Sequence, residues 1–251
     1  MTPPPRGARA WDDDEVVATQ YASTTNLDAR AAVWTATKGA PSAQDLVVAS
    51  LRDRHARMVL EVGAGRGELA ARVARELGAA VLALDRSAAM VEAAGAIRVN
   101  SVIADVRALP VASGRFDAVV AAWMLYHVDP LDAALEEISR VLAPGGVLVA
   151  VTNGRGHLRG LWELVVDNRP SLTFSRESGA RALRGHFTHV RRRDVASRAH
   201  FGDREAAIAY IAGTGRAELC AHLPRGGWPR EFSGATSVFV ATGPRTDDRT
   251  R

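Results

Sequence analysis

The sequence predicts an α/β protein built on a doubly wound, mostly parallel sheet, with helices at its N-terminal end and an antiparallel pair of strands at the other. Three observations carry that expectation. Between positions 57 and 153 short β-branched runs alternate with helical stretches, the rhythm of βαβ units whose sheet is covered on both faces. The first run breaks at Gly63, Gly65 and Gly67 and resumes as a helix, the strand–turn–helix where such sheets bind ligands. After Asn153 the rhythm changes, and a basic stretch followed by the apolar SVFVATG suggests two further strands.

The elements follow in order. Residues 12–39 read as helical pieces, with Asn26 the expected N-cap of LDARAAVW; residues 42–54 form an amphipathic helix capped by Ser42. Strands are expected over 57–62, 79–85, 97–105, 116–123 and 146–153, with helices over 67–77, 87–94 and 130–142 between them. Helical material over 156–184 places Leu158, Leu161, Trp162 and Val165 on one face. The segment HFTHVRRRDVASRAHF, a helix around 203–213 and a strand over 237–243 complete the chain.

Composition bounds the function. The 251 residues are 47% hydrophobic and 24% charged, enough for one large globular domain. No apolar run approaches the roughly 18 residues of a membrane helix, and the proline-rich, acidic start has no apolar core of a secretory signal. Cys220 is the single cysteine, which excludes an internal disulfide and a cysteine-cluster metal site; no metal is expected, and the address is cytoplasmic. The pI of 9.9 overstates the basicity, because net charge is only +4 and Lys38 is the sole lysine among 32 basic residues. The densest basic segment, HVRRR with Arg176, Arg181, Arg184, Arg198 and Arg204, has few aromatics to stack bases, so a solvated strand face is the expectation.

The glycine spacing discriminates among nucleotide-like ligands. A dinucleotide loop needs G-x-G-x-x-G, with pyrophosphate on the helix N-terminus. Here Glu68 holds the third position and would repel that charge. Asp85, ending the second strand, suits the two hydroxyls of an unphosphorylated ribose. Asp105, ending the third, has a carboxylate and a neighbouring N–H for an adenine edge. Together these describe an adenosine without phosphates.

The successive segments VLEVGAGRGELA, ALDRS, ADVRALP, FDAVVAAWMLYHV and EEISRVLAPGGVLVAVTNG resemble the ordered motifs of class I S-adenosylmethionine-dependent methyltransferases, in the branch of the ubiquinone/menaquinone enzymes. The resemblance covers Val59 to Gly154 and implies a Rossmann-like sheet, with the last strand antiparallel and inserted between the fifth and sixth. It implies that Glu61, Gly63 and Gly65 surround the methionine moiety, Asp85 the ribose, Arg86 and Met90 the ribose and adenine, Asp105 and Val106 the adenine, and that Ala121 meets the cofactor through its backbone. A lid helix common in this branch puts Tyr21 and Arg30 near the methionine carboxylate, where arginine offers a bidentate fit. The expected layout is a lead-in over 1–11, one domain over 12–246 (lid 12–54, cofactor core 55–154, acceptor pocket 155–246) and a tail over 247–251.

Two histidines are candidates for proton transfer: His127 after the fourth strand and His157 after the fifth. The expected reaction moves a methyl group onto a small organic acceptor, with a place in specialised metabolism. The absence of an Asn-Pro-Pro-Tyr-like element after the fourth strand counts against DNA adenine. The alternatives are an RNA methyltransferase using the 176–204 arginines, a nicotinamide oxidoreductase, and a non-catalytic cofactor-binding partner subunit.

Overall fold

The computed structural model describes residues 10–35 and 39–245. Helices α1 (Asp14–Gln20), α2 (Thr25–Ala31) and α3 (Ala43–Asp53), with the short strand β1 (Trp34–Thr35), precede the alternating core. The core runs β2 (Met58–Val62), α4 (Glu68–Leu77), β3 (Ala80–Asp85), α5 (Ala88–Ala96), β4 (Ser101–Ile103), β5 (Phe116–Ala122), α6 (Leu131–Val141) and β6 (Leu142–Asn153). Helices α7 (Arg159–Trp162) and α8 (Gly179–His186), strand β7 (Phe187–Phe201), helix α9 (Arg204–Ala212) and strand β8 (Arg230–Pro244) follow.

Eight strands form one sheet in the order β1-β7-β8-β6-β5-β2-β3-β4. The block from β6 to β4 is parallel, and β8 lies antiparallel between β6 and β7, as the motif resemblance implied. β2 and β5 are neighbours, with β3 and β4 continuing to one side. That pair is the switch point, and the carboxyl ends of β2, β3 and β5 open on the cleft beside it.

The pleat sorts the core by alternate residues. Leu60, Val62, Val119, Ala121, Leu148 and Ala150 pack on one face, against Leu135 and Ile138 of α6 and Leu183 of α8. Val59, Ala118, Val120, Val147, Val149 and Val151 pack on the other, against Leu46 and Leu51 of α3 and Leu69 and Val73 of α4. A third cluster joins α7, α9 and Trp11, and holds Leu158, Leu161, Trp162 and Val165 as the helical spacing predicts.

Four expectations are corrected. Asn26 lies inside α2 and does not cap it; its Nδ2 donates to the Thr19 and Gln20 carbonyls at 3.0 and 3.2 Å, closing the end of α1. The third strand shortens from 97–105 to three residues, because Arg98 and Val99 donate to Gly95 and Ala94 as the chain leaves α5, with Arg98 at φ 63°. The helical stretch over 156–184 is two short helices, α7 and α8, separated by residues 163–178, a segment that contains Pro170. The lead-in ends earlier than position 11: residues 1–9 lie outside the described residues, but Trp11 is buried edge-on to Trp162 at 5.3 Å and donates from Nε1 to the Pro170 carbonyl. Lys38 and the tail over 247–251 also lie outside the described residues.

Ser42 caps α3 as predicted, and with Asp45 it forms a capping box in which each side chain bonds the other's backbone N–H. HVRRR lies on β7 with Arg191, Arg192 and Arg193 exposed, and Arg192 pairs with Asp194 at 3.1 Å. Among the described residues no helix is long and apolar enough to cross a membrane.

The long pairing of β8 with its neighbours rests on Phe239, which is fully buried 5.7 Å from Phe174. Phe239→Ala should lower the unfolding free energy by about 3–5 kcal/mol in urea titration. A change within experimental error would mean that this layer can collapse around the gap.

Candidate active site

A cavity of about 790 Å³ opens at the carboxyl ends of β2, β3 and β5, within the size range of small-molecule sites. Its floor is the glycine turn and its roof comes from α1, α2 and Trp11; residues of the 153–172 segment close the far side. Of the expected cofactor residues, Tyr21, Arg30, Glu61, Gly63, Gly65, Asp85, Arg86, Asp105 and Val106 line it. Two do not reach the wall. Met90 is wholly buried beneath α5, and Ala121 sits mid-ladder between Val62 and Ala150, so Ala122 and Trp123 take the rim position instead.

The turn is built by backbone demands. Gly63 has φ 64°, and a Cβ there would lie 2.6 Å from the Met124 Cβ, so only glycine passes. Gly67 starts α4 in the left-handed region at φ 75°, with a Cβ excluded by Ala94. Between them the Gly65 N–H donates to Asp85 Oδ2 at 2.8 Å, while the Ser87 N–H donates to Oδ1 at 2.9 Å. Each oxygen keeps a lone pair, and the two together can accept from adjacent hydroxyls. Burial raises the Asp85 pKa against the pull of those N–H groups.

Asp105 lines the cavity, and its carboxylate is already engaged by Arg107. Its Oδ1 accepts from the Arg107 N–H and Nε, and its Oδ2 from Nη2 at 2.7 Å, so only Oδ2 has room for a further donor. Arg107 holds this carboxyl below its ordinary pKa. Arg86 spans to Asp14 of α1 at 3.0 Å, and Glu68 pairs with Arg66 at the start of α4.

Four side chains that line the cavity have an unmet bonding group among the described residues, Gln20, Arg30, Glu61 and Trp162, and two of them are ionisable. Glu61 Oε2 is buried with no hydrogen-bond partner among the described residues, and so is Nη2 of Arg30. Burial pushes the Glu61 carboxyl up to about 8, the Ala70 N–H opposing and the Asp85 charge assisting. An acceptor and a cation left open in one cavity match an amino-acid zwitterion.

The two histidines are held by their neighbours. His127 Nδ1 lies 2.6 Å from the Trp11 carbonyl, which can only accept, so Nδ1 carries the proton. Burial lowers its pKa to about 4, so the ring is neutral at pH 7 and Nε2 accepts from the Tyr21 hydroxyl at 3.2 Å. That hydroxyl in turn accepts from Gln20 Nε2 at 3.1 Å. His157 is the opposite tautomer: its Nδ1 accepts from the Ala235 N–H at 3.2 Å, which puts the proton on Nε2. Burial, with Arg169 and Arg176 adding to it, lowers its pKa to about 3.

Residues 60–150 match the family model described as a methyltransferase domain. The chain is 36% identical over 153 residues to a malonyl-[acyl-carrier protein] O-methyltransferase of Enterobacter lignolyticus, a match covering 57% of this chain and 60% of that one. It is 38% identical over 111 residues to an uncharacterised methyltransferase of Mycobacterium tuberculosis, covering 42% and 56% of the two. Residues 60–150 are a class I methyltransferase domain, of the S-adenosylmethionine-dependent kind. The match thus spans little more than half the length of those relatives. The crystal structure of the [4+2]-cyclase SpnF shares the fold with a TM-score of 0.61 over 97% of this chain and 99% of its own, at 20% identity.

Sequence reasoning missed three features of this domain's cavity. Trp11 fell in the lead-in, and Trp123 carries no motif although its φ of 55° marks a strained rim position. Arg169 lies in a loop that no periodicity organises. The sole local hint for any of them is the end-of-strand position of Trp123.

Glu61 makes stability depend on pH. Its folded pKa of about 8 exceeds the ordinary 4.5, so its contribution is fully present below pH 4.5 and is lost as pH rises through 8. Relative to wild type, the ligand-free Glu61→Gln protein should gain in melting temperature as pH goes from 5 to 8.5, a window set by that shift. A constant difference across the window would mean that Glu61 is not protonated in the folded protein.

Proposed function

We propose that the chain binds S-adenosylmethionine in this cavity and transfers its methyl group to a small organic acceptor held above the glycine turn. The observation that carries the reading is the paired vacancy in bonding at Glu61 Oε2 and Arg30 Nη2, one suited to an ammonium and the other to a carboxylate. Asp85 adds an acceptor pair for ribose hydroxyls, and its negative charge disfavours a phosphate at that position. When bound, S-adenosylmethionine supplies a methyl group on a sulfonium, which a nucleophile's lone pair takes while the C–S electrons remain with sulfur.

The protein's part is alignment and exclusion of water. Tyr21, Arg30 and Trp11 cover the cleft, with His127 holding both Trp11 and Tyr21 from below. With the His127 lone pair turned to Tyr21 and the His157 lone pair to Ala235, neither imidazole is free to accept a proton from the acceptor. His127 acts in this reading as a positioning residue, and His157 as a hydrogen-bond donor. A cavity of about 790 Å³ favours a small acceptor over an RNA strand, and the exposed arginines of β7 are a solvated face. The malonyl-[acyl-carrier protein] relative supports oxygen as the methylated atom.

Melting temperature should rise with S-adenosylhomocysteine and not with NAD, because a ligand bound only by the native state raises it by mass action. Asp85→Ala should weaken S-adenosylhomocysteine by roughly 1–3 kcal/mol in calorimetry, leaving ribose hydroxyls unpaired. A rise with NAD alone, or an unaltered affinity in the variant, would remove the cofactor assignment.

The pH profile of kcat should lack a histidine limb near the ordinary value of 6.5, because His127 and His157 stay neutral down to about 4 and 3. A limb near 6.5 that His127→Ala abolishes would restore that residue as a general base.

A further inference from the structure

Beyond the groups assigned to the cofactor, the cavity has a second cationic end. Arg169, from the loop after α7, lines the wall with its guanidinium 5.1 Å from the Trp11 ring and 4.9 Å from the Trp162 ring. One nitrogen, Nη1, donates to the His157 carbonyl at 2.6 Å. Among the described residues no carboxylate pairs with it. Burial draws its pKa down to about 10, still far above neutrality, so the cation is kept at a desolvation cost with no counter-charge.

The groups around it are donors. Nε1 of Trp162 is buried with no hydrogen-bond partner among the described residues, and this indole also lines the cavity. His157, whose carbonyl Arg169 holds, carries its proton on Nε2 because Nδ1 accepts from Ala235. Arg216 also lies over the Trp11 ring, 3.9 Å from its centroid, and adds positive potential. A partly desolvated cation, an unmet indole N–H and a fixed imidazole donor together complement oxygen anions and repel cations or neutral donors.

Resting on the methyltransferase reading, we infer that the acceptor carries a carboxylate or phosphate group, bound at Arg169 with the N–H groups of Trp162 and His157, in a subsite separate from the one at Arg30. An anionic acceptor also fits a cavity whose two imidazoles have no free lone pair. A carboxylate oxygen needs no proton removed before its lone pair forms the new bond to the methyl carbon. The C–S pair then stays on sulfur, giving a methyl ester and a neutral thioether.

The test is calorimetry on the protein saturated with S-adenosylhomocysteine, titrated with phenylacetate, phenyl phosphate and the neutral phenylacetamide. At least one anion should bind, and the amide at least tenfold more weakly; which anion binds tells carboxylate from phosphate. Arg169→Gln should weaken that anion by roughly 10–100-fold, the value of charge-assisted hydrogen bonds, and Arg169→Lys should recover part of it. Arg169→Gln should leave S-adenosylhomocysteine affinity unaltered, which also reports that the variant is folded, whereas Arg30→Gln should reduce it. Equal binding of amide and anion, no anion binding to wild type, or loss of S-adenosylhomocysteine rather than anion in Arg169→Gln would overturn the assignment. If S-adenosylhomocysteine fails to bind wild type, the methyltransferase reading falls, and the same anion titration on the unloaded protein still decides the Arg169 subsite.

Discussion

Burying Asp85 at the end of β3 costs its carboxylate hydration, and the geometry of the cofactor end follows from how that cost is offset. The Gly65 and Ser87 N–H groups aim at its two oxygens, one from the glycine turn and one from the start of α5. These bonds join the ends of neighbouring strands β2 and β3, and they hold the carboxylate with its remaining lone pairs toward the cleft. The turn reaches this position only because Gly63 and Gly67 adopt left-handed backbone beside Met124 and Ala94. A ligand that satisfies Asp85 and the open groups of Glu61 and Arg30 would remove polar deficits that the fold itself leaves.

A parallel sheet supplies such a floor but no roof. Here the roof is the chain's N-terminal part, fastened to the floor at several points. Arg86 pairs with Asp14, Arg66 with Asp28, and the Ser87 hydroxyl donates to the Tyr21 carbonyl. Beneath them His127 ties the Tyr21 hydroxyl to the Trp11 backbone carbonyl through one neutral imidazole. Trp11 then carries the connection across the cavity, lying edge-on to Trp162 and in contact with the guanidiniums of Arg169 and Arg216. Cofactor end and acceptor end are therefore mechanically joined through the roof.

The SpnF cyclase, with the same fold over nearly its whole length, shows that the sheet does not determine the reaction. What distinguishes this cavity is the side chains on its connecting segments. Exposed loops tolerate such variation because few backbone bonds of the core depend on them.

The alternating core and the glycine turn were legible in the sequence because both are local. Period-two burial writes Leu60, Val62, Val59 and their partners directly into the residue pattern, and a positive-φ turn leaves glycines at fixed spacing. Asp85 and Asp105 were placed by their positions at strand ends and lie on the cavity wall; of the residues assigned by resemblance, Glu61, Arg86 and Val106 reach that wall and Met90 and Ala121 do not. Asn26 was misjudged since its amide serves carbonyls six and seven residues earlier, a contact no helix-start rule encodes. Trp11, more than 150 residues from Pro170 in the chain, and Arg169, in a loop without periodicity, became site residues only through the packing of α7 and α9 on the far end of the sheet. The sequence by itself determined the sheet, the turn and the acidic residues of the cofactor end, because spacing along one chain sets them. Tertiary structure alone decided which lone pairs His127 and His157 keep, and where an arginine with no carboxylate partner among the described residues meets the cavity, because those depend on partners brought together from distant segments.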